Sequence, residues 1–206
     1  MNRVISYIDG FNLYFGLKNK GWKRYYWLDL QALSTALLLP GQILTATHYF
    51  TARLRHTGNN QADKRRQDDY LDALATCNNL HIHYGHYLQK TRRCRECRAT
   101  WPDYEEKMTD VNIAVQLIAD AFDDNFDTAL ILSADSDLTT PVKFVRNRFP
   151  NKKIVVAQPP GRNSSHLSNV ATTAFQISRK KVQNSQLPDA ITTAAGIVLR
   201  RPATWK

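Results

Sequence analysis

The chain has 206 residues, a formal net charge of +10 and a hydrophobic content of 43%. That length supports one sizeable core, and the lack of any long apolar run excludes a membrane-spanning helix. The opening Met-Asn-Arg-Val-Ile-Ser-Tyr-Ile has no apolar stretch of the secretory kind, and three cysteines make a poor disulfide framework, so a reducing cytoplasm is the expected setting.

Residues 3–8 are a β-branched and aromatic run, expected as a first strand that Asp9-Gly10 breaks. Asp29 caps an expected helix over 29–38, with Leu30, Leu33, Ala36 and Leu37 at helical spacing and Pro40-Gly41 beyond its end. Residues 42–51 read as a strand, 60–76 as a polar helix with Tyr70, Leu71 and Leu74 on one face, and 80–88 as an alternating strand. A loop from Gln89 to Lys107 follows. Residues 109–122 predict a helix that buries Val111, Ala114, Val115, Ile118, Ala119 and Phe122. The nearly all-apolar run 128–133 predicts a central parallel strand buried on both faces. A helix over 136–149, a strand at 153–157, a short helix near 165–173 and a strand near 175–178 complete the core.

Alternating strands and helices predict a Rossmann-like three-layer α/β/α fold with a mostly parallel sheet. The expected domain spans 1–182, with the basic cysteine-containing loop 89–107 as an insertion. Residues 183–206 are a tail expected to pack on that core.

In such sheets ligands sit beyond the carboxyl ends of the strands. Asp9 ends the first strand, Asp135 and Asp137 follow the central one, and Asp110 opens the helix before it. Each alone has an ordinary explanation as a turn residue, a cap or a first-turn helix charge. Four acids at converging positions call for a cation, because they would otherwise repel one another. Hard carboxylate oxygens suit Mg²⁺ or Mn²⁺, and such ions support phosphodiester hydrolysis. In a strongly basic chain, the implied substrate is a nucleic acid.

Other chemistries do not match. Asp9-Gly10-Phe11 lacks the second acid of haloacid-dehalogenase phosphatases, and Asp135-Ser136-Asp137 lacks the serine spacing of the von Willebrand adhesion motif. Neither Walker A nor G-x-G-x-x-G occurs, and no Ser-His-Asp arrangement is legible.

Three blocks carry a resemblance: Tyr-Ile-Asp9-Gly10-Phe11-Asn12-Leu-Tyr, Glu105-Glu106-Lys107-Met-Thr-Asp110-Val-Asn-Ile-Ala, and Leu130-Ile-Leu-Ser133-Ala-Asp135-Ser136-Asp137-Leu138. In this order they resemble the NYN domains, a branch of the PIN-like nucleases. The resemblance implies metal-dependent ribonuclease activity, with Asp9, Asp110, Asp135 and Asp137 as metal-site and catalytic acids. Asn12 would orient Asp9 or touch substrate, and Ser133 would support the cluster. Ala134 stands where relatives often have Gly, and Gln116 where many carry a further acid.

Lys107 could neutralise phosphate charge and Glu106 could join the metal's outer shell. Arg92, Arg93, Arg95 and Arg98, near Trp101 and Tyr104, offer charge and base stacking for a single strand. Cys94-Arg-Glu-Cys97 has the spacing of half a structural Zn²⁺ site. Its remaining ligands would come from Cys77, His81, His83, His86 or a partner chain, which keeps a homodimer open; a redox pair or a plain reduced pair are the alternatives. The expected function is an endoribonuclease. A non-catalytic RNA-binding module and a DNA- or flap-directed nuclease of the same fold are the alternatives.

Overall fold

The computed structural model describes residues 1–56 and 60–205; the side chains of Gln89 and of residues 102–106 lie outside the described set. The chain opens with β1 (Asn2–Asp9) and α1 (Gly10–Asn19), followed by α2 (Leu30–Ala36), β2 (Gln42–Thr51), α3 (Gln61–Leu74) and β3 (Leu80–Tyr84). A hairpin of β4 (His86–Arg93) and β5 (Thr100–Lys107) comes next. The second half runs α4 (Thr109–Phe122), β6 (Thr128–Leu132), α5 (Thr139–Arg148), β7 (Lys153–Gln158), α6 (Ser165–Val170), β8 (Thr173–Gln176) and α7 (Arg179–Asn184), with a small β9 (Ala190–Thr192) and β10 (Val198–Arg200) pair in the tail.

The central sheet has six parallel strands in the order β3-β2-β1-β6-β7-β8. Without the hairpin, this is the doubly wound order, whose direction of winding reverses between β1 and β6. Alternate residues of these two strands enter two cores. Val4, Ile8, Leu130 and Leu132 join Leu13, Leu33 and Leu71 on one face. Ile5, Tyr7, Ala129 and Ile131 join Ile113, Leu117 and Val142 on the other. The chain is thus a three-layer α/β/α sandwich. The tail reaches the first core through Leu199 and Trp205, and Trp27 Nε1 donates to the Pro188 carbonyl at 2.7 Å.

Register at the amino ends of β1 and β6 is held by Asp127, which accepts from the Arg3 backbone N–H at 2.7 Å and from its guanidinium at 2.9 Å. Ile8 therefore pairs with Leu132, and the next residues, Asp9 and Ser133, emerge side by side.

Several expectations change. Asp9-Gly10 is a strand-to-helix junction rather than a simple break, because the Asp9 side chain caps α1 by accepting from the Asn12 N–H. A Cβ on Gly10 would lie 2.7 Å from the Phe50 carbonyl oxygen, so glycine is needed for this close approach despite its low helix propensity. The expected loop 89–107 is largely an antiparallel hairpin, paired from His86↔Lys107 to Arg93↔Thr100. The expected strand 80–88 accordingly splits at Gly85.

Helix α4 has the expected bounds but a different buried face. Ile113, Leu117, Asp120 and Ala121 point inward, whereas Val111, Ala119 and Phe122 are exposed and Val115 is 62% exposed. Ile113, Leu117 and Ala121 enter the second core, the expected Ile118 packs against it, and Asp120 accepts hydrogen bonds from Tyr7, Gln116 and Asn125.

Candidate metal centre

The site forms where β1 and β6 end, at the reversal of the sheet. Asp9 is 2% exposed and its carboxylate is held from three directions. Oδ1 accepts from the Asn12 N–H at 2.9 Å; Oδ2 accepts from Asn12 Nδ2 at 2.6 Å and from Ser133 Oγ at 2.8 Å. Ser133 Oγ also accepts from the Asp135 N–H at 3.0 Å, which turns the chain after β6 back toward Asp9. Asp135 then caps the 3-10 turn Ser136–Leu138 by accepting from the Asp137 N–H at 3.0 Å. From the other side Asp110 enters on the first turn of α4, just after Met108, whose φ of 80° is left-handed. A non-glycine residue in that region is a local strain of the kind found at functional sites.

Asp9, Asp110 and Asp135 each offer an oxygen, and these oxygens lie within 4.8 Å of one another. Burial pushes the Asp9 carboxyl up and the Asp135 charge adds to this, against the downward pull of hydrogen bonds from Asn12 and Ser133. Three carboxylates so close, one of them buried, are the donor set of a hard divalent cation. The residues present thus fit such an ion.

Asp137 stands outside this trio and is exposed. Lys107 is half-buried at the base of the hairpin, opposite His86. Glu106 lies among the side chains outside the described set. Arg92, Arg93, Arg95 and Arg98 are all exposed toward the hairpin's far end, where Arg98 has a φ of 59°. Cys94 and Cys97 sit at its tip as free cysteines, and hydrogen bonds from the Cys97 and Glu96 backbone lower the Cys94 thiol. Among the described residues no third His, Cys, Asp or Glu joins them in a ligand group. His81 and His83 instead turn to His48, whose Nδ1 lies 2.9 Å from His83 Nε2 and whose ring stacks on His81.

Arg162 was not legible in the sequence. Its Nε donates to Asn12 Oδ1 at 2.9 Å, which fixes the amide so that Nδ2 faces Asp9. A Cβ on Gly16 would lie 2.9 Å from both Pro159 Cβ and the Pro160 carbonyl oxygen; this contact brings the Arg162 segment against α1. The only signal was Pro159-Pro160-Gly161, which reads as a turn.

Gln116 also gains a role. Its amide donates at 3.1 Å to Asp120, which additionally accepts from Tyr7 Oη at 2.8 Å and Asn125 Nδ2 at 3.0 Å.

Among the described residues, no helix is long and apolar enough to cross a membrane. The chain is 27% identical to 6-hydroxy-3-succinoylpyridine 3-monooxygenase HspA of Pseudomonas putida, over 98% of this chain and 75% of that protein. Its fold matches the crystal structure of a protein of unknown function from Vibrio parahaemolyticus, with a TM-score of 0.54 and 19% identity over 86% of this chain and 94% of that one. The NYN domain family matches residues 3–178, from the first strand to just past the last strand of the sheet, and the chain belongs to that family.

Proposed function

We propose that the chain is a divalent-metal-dependent endoribonuclease, with Asp9, Asp110 and Asp135 holding the ion. The convergence of these three carboxylates at the reversal of the sheet carries the proposal. A bound Mg²⁺ or Mn²⁺ supplies the positive charge that makes water nucleophilic and stabilises a leaving oxyanion. The chain's own part is to preorganise the oxygens. Asn12 and Ser133 aim both oxygens of Asp9, Arg162 locks Asn12, and Ser133 positions Asp135. Asp137, on the exposed side of the turn, would add negative charge beside the trio. The arginines of the hairpin and Lys107 supply phosphate contacts, which give affinity without sequence choice. The free cysteines accord with a reducing cytoplasm.

The test is cleavage of labelled single-stranded RNA and DNA with Mn²⁺, Mg²⁺ or EDTA, comparing the wild type with Asp9→Asn and Asp135→Asn. Metal-dependent RNA cleavage lost in both variants is expected. Binding without cleavage would replace the enzyme by a binding module, and preferred cleavage of DNA would redirect it to a DNA- or flap-acting nuclease.

A second function, oxidation of a small heteroaromatic acid, is suggested by the name of the Pseudomonas putida relative. The observation that favours it is a cleft of about 700 Å³ with a largely aromatic and aliphatic wall. Oxygen uptake with 6-hydroxy-3-succinoylpyridine and a reductant, in the absence of any RNA cleavage, would select it.

A further inference from the structure

The cleft of about 700 Å³ begins at Gly10 and Phe11, the two residues after Asp9, and runs between α1, α3 and the carboxyl end of β2. Helix α1 buries Leu13, Gly16 and Leu17 yet leaves Tyr14 42% and Phe15 38% exposed at the cleft. Two adjacent exposed rings forgo the gain of burial, which marks a surface kept open for contact.

The rings form a row. Tyr14 lies 5.2 Å from Tyr26, which lies 5.6 Å from Trp205, and Phe11 meets Tyr87 of the hairpin at 5.9 Å. Lys18 Nζ stands 5.8 Å from the Tyr14 ring centre and 5.6 Å from that of Phe15. The other charged groups on the wall are Lys23, Arg66 and Asp63, and Asp63 is ion-paired with Arg66. The cleft therefore combines flat apolar faces with a net positive charge. That combination suits a planar heteroaromatic ring bearing an anionic group, and proteins hold single-stranded nucleic acid in this way.

The link to the metal centre is covalent and short. Asp9 caps the helix that carries Phe11, Tyr14, Phe15 and Lys18, so one strand-to-helix junction places both the Asp9 carboxylate and this wall of the cleft.

We propose that this cleft receives unstacked bases of a single strand whose scissile phosphate lies at the carboxylates, with Tyr14 stacking on a base and Lys18 contacting the backbone. The proposal rests on the nuclease function above for its substrate.

It is tested by fluorescence anisotropy of an end-labelled uridine oligoribonucleotide, titrated in EDTA so that cleavage cannot intervene, with the wild type and with Tyr14→Ala, Tyr14→Phe and Lys18→Gln. Both side chains are exposed, so matched thermal melts are expected for all variants. Tyr14→Ala is expected to weaken binding about tenfold and Tyr14→Phe to restore it. Lys18→Gln is expected to reduce the salt slope by roughly 0.7. A strand of base-free sugars should bind the wild type about as weakly as the intact strand binds Tyr14→Ala. Wild-type affinity in both Tyr14→Ala and Lys18→Gln, or equal binding of the base-free strand, overturns the proposal. The same proteins are then assayed for cleavage with Mn²⁺. Cleavage with no base-dependent binding sinks the cleft alone; base-dependent binding without cleavage sinks the nuclease and leaves the cleft standing.

Discussion

Asp9 and Asp120 are both buried carboxylates, at 2% and 5% exposure. Their surroundings differ in one respect. Asp120 is surrounded by Tyr7, Gln116 and Asn125, all of which donate to it, with His48 Nε2 3.6 Å away. Its hydrogen-bonding capacity is met inside the fold. Asp9 also has its donors, but two further acids are brought within 4.8 Å of it. That arrangement gathers negative charge where the other disperses it. A buried carboxylate with a complete set of donors stabilises a fold, whereas a buried carboxylate beside other carboxylates awaits a cation.

The largest effect expected from this difference is on activity. Asp9→Asn should lower metal-dependent cleavage roughly a thousandfold, since it removes a charge from the ion's donor set. The same variant should abolish the rise in melting temperature that Mn²⁺ gives the wild type. If Mn²⁺ stabilises Asp9→Asn as strongly as the wild type, Asp9 does not hold the ion.

Asp120→Ala should do the reverse. It strands the Tyr7 hydroxyl and the amides of Gln116 and Asn125, and should cost about 3 kcal/mol in urea unfolding. Cleavage by the folded fraction should stay within about threefold of wild type. A stable Asp120→Ala protein with no activity would break the comparison, because it would move Asp120 into the catalytic machinery.

The Asp120 side also carries a pH dependence. Burial lowers His48 to about 4, with His83 and His81 adding to this and Asp120 opposing it. Burial likewise lowers His83. The unfolded chain therefore takes up protons first as the solution is acidified. Stability is full above the ordinary imidazole value and falls between roughly pH 6.5 and 4, by on the order of 2–3 kcal/mol. His48→Gln should flatten that slope in urea midpoints measured across this range. An unchanged slope would show that His48 does not set it.

The smallest effect concerns Arg162, which acts on the site through Asn12. Arg162→Ala frees the Asn12 amide and should reduce Mn²⁺ affinity about tenfold, with the fold unaltered. Affinity equal to wild type by calorimetry would show that Asn12 is held well enough by Asp9 alone.

Much of this molecule is determined by the sequence acting locally. The apolar run 128–133, expected as a strand covered on both faces, forms one over Thr128–Leu132, and helix α4 matches its expected bounds of 109–122. Asp9, Asp110, Asp135 and Asp137 could be proposed together because strand ends and helix starts are readable one element at a time, and the fold gathers all but Asp137. Relations between elements were decided by the tertiary structure. The buried face of α4 brings Ile113 and Leu117 to the core and Asp120 to Tyr7 and His48, partners on other strands that helical periodicity cannot anticipate. Helix α1 was hidden because Gly10 and Gly16 look like breaks until the Phe50 carbonyl and Pro159-Pro160 are seen against them. Arg162 reaches Asn12 across 150 positions of chain, and no local signal spans such a separation. The sequence by itself determined which residue types and elements were available; packing decided which of them face one another, because burial rewards a side chain for partners that lie far away along the chain.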